Sequence, residues 1–281
     1  MTRTRTQLLD EIKQYETLTD GVTDPKILLI GQTKAGKSSF FNSVNSVFRG
    51  YPIFQATSSQ WQKNVSKHCR TYAVMDTKGG KRLPFTFCDI MGLDPSSEEL
   101  GIQVQDIIKV IRGDIPDNYK FDPKQAKDVC KTCDEQSSLA DKVHCIVYVI
   151  DTSAASLLQK QLQNMFQTIH EEAHKMGIPQ LALLTKVDLA CNIVKDDLSK
   201  VYKSRCIQKK VLEVWDLVGV PASCVLPVRN YWIETELDMN VDILILKALQ
   251  QILRQADAYF DEIKQRGKSK ETHEPNCEAM P

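Results

Sequence analysis

Two rhythms of hydrophobic and polar positions alternate along this chain. Leu8, Leu9, Ile12 and Tyr15 recur at helical spacing and predict an amphipathic helix within residues 1–24. The apolar run 26–30 ends directly in Gly31, as a buried strand does, and a helix is expected from Ser38. Runs 70–75 and 83–88 read as two strands, and the turn residues between them predict an antiparallel hairpin. Further strands are expected over 143–150, 180–184 and 224–228, and helices over 157–176, 194–218 (with a break) and 242–266. On the last of these, Ile245, Leu249, Ile252, Leu253, Ala256, Phe260 and Ile263 share one face, the stripe of a helix packed on a sheet.

Strands separated by helices imply a mostly parallel sheet covered on both faces, an α/β fold in three layers with one antiparallel strand. Residues 94–141 break the rhythm: they lie between two strands, are too long for an ordinary connection and hold one predicted helix, 100–111. They read as an insertion within a domain spanning 25–265. Residues 266–281 are polar and nearly free of large apolar groups, which predicts a disordered tail.

Composition narrows the function. The 36 basic and 36 acidic side chains cancel, so there is no global positive field to hold a nucleic acid. No apolar run approaches the roughly 20 residues that cross a bilayer, and the polar start has no signal-peptide core. Nine cysteines, an odd number with several inside apolar runs, read as reduced thiols of a cytoplasmic protein. Cys277 has the outline of a prenylation site, but Pro281 moves it off the required position.

The sharpest chemistry is Gly31-Gln32-Thr33-Lys34-Ala35-Gly36-Lys37-Ser38, a phosphate loop between a predicted strand and a predicted helix. Gly31 and Gly36 let successive N–H groups turn inward on phosphate oxygens, and the helix adds its positive end. Lys37 would neutralise the β- and γ-phosphates, Ser38 would ligate Mg²⁺, and Ser39 is placed for a further phosphate hydrogen bond.

Base choice must be read elsewhere. Thr185-Lys186-Val187-Asp188 follows a predicted strand, where Asp188 can accept the N1–H and the exocyclic amine of guanine while the Lys186 stem lies along the base. Alone, such a triplet is usually a solvated surface pair; after a phosphate loop and a buried strand it points to GTP and GDP. Thr185 stands where small GTPases often have asparagine, so that bridge must be remade by a hydroxyl. Arg229 and Asn230 occupy the loop that would cover the other side of the base, or are an ordinary turn.

Asp89-Ile90-Met91-Gly92 closes another strand: Asp89 would hold Mg²⁺ through a water, and Gly92 would offer its N–H to the γ-phosphate as a switch. Thr57, with Ser58 and Ser59 as rivals, is the candidate to close over Mg²⁺. Turnover is less evident, because Leu93 replaces the glutamine with which Ras-type GTPases orient water. Lys34 could supply charge to the transferring phosphate or simply face solvent, so catalysis is assigned to Lys34 and Thr57, to the insertion, or to a partner.

Two metal patterns compete. His170-Glu171-Glu172-Ala173-His174 matches a zinc-protease pattern, yet it is the last turn of a predicted helix, with no third ligand apparent downstream. Cys130 and Cys133 lack the second pair of a structural zinc site.

Beyond the nucleotide motifs, the strings GKSSFFNSVNSVFRG, FCDIMGLD, GDIPDNYKF, PQLALLTKVDLAC, SCVLPVRNY and ELDMNVDILILKALQQILRQAD resemble the interferon-induced protein 44 family over residues 20–265. The resemblance implies a P-loop GTPase domain, Ras-like or dynamin-like, in a cytoplasmic protein of interferon-induced antiviral innate immunity. Longer members carry an additional N-terminal domain whose task is not carried over. The expectation is a GTP/GDP-binding switch with Mg²⁺ and slow or partner-stimulated hydrolysis, alternatively an interaction module without turnover. The 94–141 insertion is its expected surface for a protein partner or self-association.

Overall fold

A computed structural model describes residues 2–19, 21–53, 69–76, 80–90, 92–93, 102–121, 138–155 and 158–271. Six strands form one sheet: β1 (Lys26–Gly31), β2 (Arg70–Met75), β3 (Arg82–Asp89), β4 (Cys145–Asp151), β5 (Gln180–Thr185) and β6 (Val225–Pro227). Their order is β2-β3-β1-β4-β5-β6. Every pairing is parallel except β2 with β3, the expected hairpin, in which the register shifts between Ala73 and Met75.

The central strands are apolar on both faces because helices cover both. α2 (Lys37–Arg49) and α8 (Met239–Glu271) lie with α1 (Thr2–Lys13) in one layer, and α3 (Val104–Arg112), α4 (Lys160–Lys175) and α7 (Arg205–Val218) in the other. Phe40 and Phe41 of α2 meet Phe87 of β3 edge-on, and Phe85 continues that aromatic seam. Ile245, Leu249, Ile252, Ala256 and Phe260 of α8 are fully buried, as the stripe required.

One expected break is located and two boundaries change. The helix over 194–218 divides into α6 (Asn192–Asp196), a 3-10 turn (Leu198–Lys203) and α7, preceded by a one-turn α5 (Val187–Ala190). Two local caps cause the break: Asp197 accepts the Ser199 N–H at 3.1 Å and Ser204 accepts the Ile207 N–H at 3.3 Å. The insertion helix begins at Val104 rather than at 100, and Gly113 ends it with φ of 80°. The last helix does not stop at 266 but runs to Glu271, so polar composition alone does not end it. The remainder of the expected tail, 272–281, and residues 94–101 and 122–137 of the insertion fall outside the described residues.

No helix among the described residues is long and apolar enough to cross a membrane. The described cysteines are free thiols, and Cys69, Cys88, Cys145 and Cys191 are buried.

Candidate functional site

The site gathers at the carboxyl ends of β1, β3, β4 and β5, where a doubly covered parallel sheet presents its loops. Between β1 and α2 the chain takes positive φ at Lys34 (67°) and at Gly36 (106°), which curls the loop back on itself. A Cβ on Gly36 would come within 3.3 Å of Asn230 and Thr185, so the residue is fixed by both backbone angle and close packing. A Cβ on Gly31 would lie 2.2 Å from the Val149 carbonyl, which lets β4 run tight against the loop.

Lys37 is 7% exposed and donates from Nζ to the carbonyls of Gly31 (3.0 Å) and Gln32 (3.4 Å), so the ammonium lies across the loop's mouth. Burial lowers its pKa, and the charge of Asp89 opposes that shift. Ser38 Oγ donates to Asp89 Oδ2 at 3.1 Å, while Asp89 Oδ1 is buried with no hydrogen-bond partner among the described residues. Burial raises the carboxyl's pKa, held back by Lys37 and Ser38. An uncompensated carboxylate oxygen beside a serine hydroxyl is a site short of one cation. Hydroxyl and carboxylate together fit the oxygen-only preference of Mg²⁺.

Past β3 the chain stays on the phosphate loop. Leu93 donates its N–H to the Gly31 carbonyl at 3.0 Å, pairs in parallel with Gln32, and buries its side chain. Gly92 is packed so closely that a Cβ would lie 2.6 Å from the backbone of Thr33.

The other end of the site is built by β5 and the loop after β6. Thr185 is buried and donates to the Ala35 carbonyl at 2.6 Å, the hydroxyl bridge that its substitution for asparagine demands. Asn230 adds a second bridge, Nδ2 to the Gly36 carbonyl at 3.2 Å, and its Oδ1 is buried without a partner among the described residues. Lys186, at φ of 56°, donates to the Lys34 carbonyl (2.9 Å) and to Asp151 Oδ2 (2.5 Å). Although burial works against it, bonds from Lys186 and Ser153 hold the Asp151 carboxyl below its usual range. Asp188 is half-buried, with the Arg229 guanidinium 3.8 Å away, and Arg229 also pairs with Glu234.

Gly31, Gly36, Lys37, Ser38, Gly92 and Asp89 thus surround one end, with Ser39 one residue further along α2. Thr185, Lys186, Asp188, Arg229 and Asn230 surround the other. Lys34 lies between them with its side chain exposed. Thr57 lies outside the described residues, as do Met91 and the Cys130–Cys133 pair. The sequence reading missed Asp151, the anchor of Lys186, although its place at the end of an apolar strand was a signal. It also missed Tyr231 and Asp242, whose roles exist only through contacts across the chain.

The zinc reading finds no support. His170 and His174 stack with centroids 6.4 Å apart, and among the described residues no group of three His, Cys, Asp or Glu could hold a metal.

A phosphate loop that opens a helix, a buried aspartate facing its serine, and a carboxylate just past β5 on a sheet of this order define a P-loop GTPase domain. The chain belongs to the 50S ribosome-binding GTPase family, whose model matches residues 26–186. Its curated relatives are interferon-induced protein 44 proteins. It is 38% identical to human interferon-induced protein 44-like over 92% of this chain and 57% of that protein. It is 37% identical to human interferon-induced protein 44 over 92% of this chain and 58% of that one. The chain therefore spans less than two thirds of the length of these relatives. A crystal structure of a probable GTP-binding protein engB aligns over 83% of this chain and 98% of its own at TM-score 0.43 and 13% identity, too distant to add to the argument.

Proposed function

We propose that this chain binds GTP and GDP with Mg²⁺ and uses the Asp89–Leu93 segment to sense which is present. The observation that carries the reading is Asp89: a buried carboxylate with one oxygen on Ser38, the other unpartnered, and the Lys37 ammonium nearby. Ser38 and Asp89 would hold Mg²⁺, which neutralises phosphate charge when bound. Loop N–H groups and Lys37 receive the phosphates, Gly92 reports on the γ-phosphate, and Ser39 adds a hydroxyl at the start of α2. Asp188 accepts from the guanine edge between Lys186 and the Arg229–Asn230 turn, while Thr185 and Asn230 fix that turn to the phosphate loop.

Hydrolysis is slow or depends on a partner, because Leu93 is buried and offers nothing to water. Lys34, exposed at the loop's turn, adds a second positive charge beside Lys37 for the transferring phosphate, and Thr57 is the residue of the segment after α2 assigned to Mg²⁺. The same buried Leu93 favours the second reading, a module that binds nucleotide without turnover and displays the 94–141 insertion to a partner or a second copy. The relatives' name supports induction by interferon, and we extend this to a role in antiviral innate immunity.

Calorimetric titration with GTP, GDP and ATP, with and without Mg²⁺, tests the core of this: guanine nucleotides bind, ATP does not, and Mg²⁺ favours the triphosphate. Absence of heat with guanine nucleotides on folded protein would overturn it. Single-turnover phosphate release compared with Lys37→Ala separates the two readings. Transcript induction by interferon in the cells of origin checks the biological setting.

A further inference from the structure

The loop after β6 is held from both sides. Tyr231, one residue beyond Asn230, donates its N–H to Ser43 Oγ of α2 at 2.9 Å, and Ser43 in turn donates to the Ser39 carbonyl at 2.8 Å. Its ring is buried, and its hydroxyl donates to Asp242 Oδ1 at 2.6 Å while accepting the Asp238 N–H at 2.8 Å. Asp242, in the first turn of α8, is 1% exposed. Its second oxygen meets Arg5 Nε at 2.5 Å, 237 residues away in sequence. A buried carboxylate needs both partners, and losing one leaves charge uncompensated.

Arg5 belongs to α1, which touches the domain chiefly along α8. Leu8 and Ile12 are its buried anchors, with Tyr15 on Asp257 at 2.7 Å and Glu11 receiving Gln250 at 2.5 Å. Lys13 reaches the β2–β3 hairpin at Asp76, 3.0 Å. The helix is therefore a strap along α8 whose Arg5 guanidinium neutralises the buried acid that positions the base-side loop.

We propose that α1 governs nucleotide release: the relay Arg5–Asp242–Tyr231 holds the 229–238 loop over the base, and lifting α1 from α8 loosens it. Arg5, Asp242 and Tyr231 are positioning residues, since none of them reaches the nucleotide end itself. The inference rests on the proposed guanine-nucleotide site. It deepens that site by naming what sets dwell time: the seating of α1 on α8.

The test uses the full chain with Mg²⁺ and a fluorescent GDP analogue, with amide hydrogen exchange on the nucleotide-free protein as an independent readout. Arg5→Ala and Tyr231→Phe should each speed GDP release roughly tenfold, the equivalent of about 1.4 kcal/mol, with association little changed. Combining them should add little, because both cut one relay. Arg5→Lys should restore part of the dwell time, which loss of overall stability would not reproduce. Exchange should quicken at 229–238 without change in α3 and α4. Unchanged release with a protected loop would overturn the proposal, as would exchange rising uniformly across the domain. If the wild type binds no guanine nucleotide, the site reading falls on its own, and the relay is still judged by exchange at 229–238.

Discussion

Leu93 sits where Ras-type GTPases place a water-orienting glutamine, but its side chain is 1% exposed and points into the core. Leu93→Gln should therefore not create a GTPase. It should bury an amide and cost about 2–4 kcal/mol of stability, seen as a lower denaturant midpoint, with phosphate release no faster than before. Faster hydrolysis at unchanged stability would show that the segment swings out in the bound state. At the base end, Asp188→Asn replaces an acceptor by a group that can also donate, so preference should move from guanine toward xanthine nucleotides by about tenfold or more in relative Kd. Unchanged selectivity in competition binding would remove Asp188 from base choice. Residues such as Lys37, Ser38 and Asp188 were legible in the sequence because their spacing along a strand–loop–helix unit is set by covalent geometry. Thr185 was legible too, and its hydroxyl does remake the expected bridge, to the Ala35 carbonyl.

Among the elements, the segment after β3 has the least freedom. The parallel pairing of β1 with β3 continues past both strands through Gln32 and Leu93, with the Leu93 N–H on the Gly31 carbonyl at 3.0 Å. Gly92 is what allows this, since a Cβ there would meet Thr33 at 2.6 Å. Gly92→Ala should push the segment off the phosphate loop and weaken GTP about tenfold more than GDP, as read by calorimetry. Equal losses would mean that the segment does not sense the γ-phosphate. Element types and order followed from periodicity, because apolar runs between glycines and helical stripes leave few alternatives. Element ends did not: Asp197 and Ser204 cap against the helix pattern, and α8 outruns its apolar stripe to Glu271.

At the scale of the whole molecule, His144 shows how the two chain halves are joined. Its Nδ1 accepts the Lys26 N–H at 2.8 Å and its Nε2 faces the Leu139 carbonyl at 2.9 Å, so the ring is neutral with its proton on Nε2. Burial pulls its pKa from 6.5 down to about 4, against the pull of the Leu139 carbonyl. The unfolded chain therefore binds a proton that the folded one refuses. His144 leaves stability intact above about pH 6.5 and removes up to about 3 kcal/mol of it as pH falls toward 4. Denaturation at pH 7 and pH 4.5, in the wild type and in His144→Gln, checks this; an equal loss in both proteins would assign the acid sensitivity elsewhere. The amino-acid sequence alone determined the alternation of strands and helices, the phosphate loop and the carboxylate after β5 proposed to choose the base, because each is a local pattern of spacing and polarity. Only the tertiary structure decided that Leu93 is buried, that Asp89 keeps an unpaired oxygen beside Ser38, and that Arg5 shares Asp242 with Tyr231. Those facts depend on which distant surfaces meet when the sheet is covered, and no local pattern encodes a contact spanning more than two hundred residues.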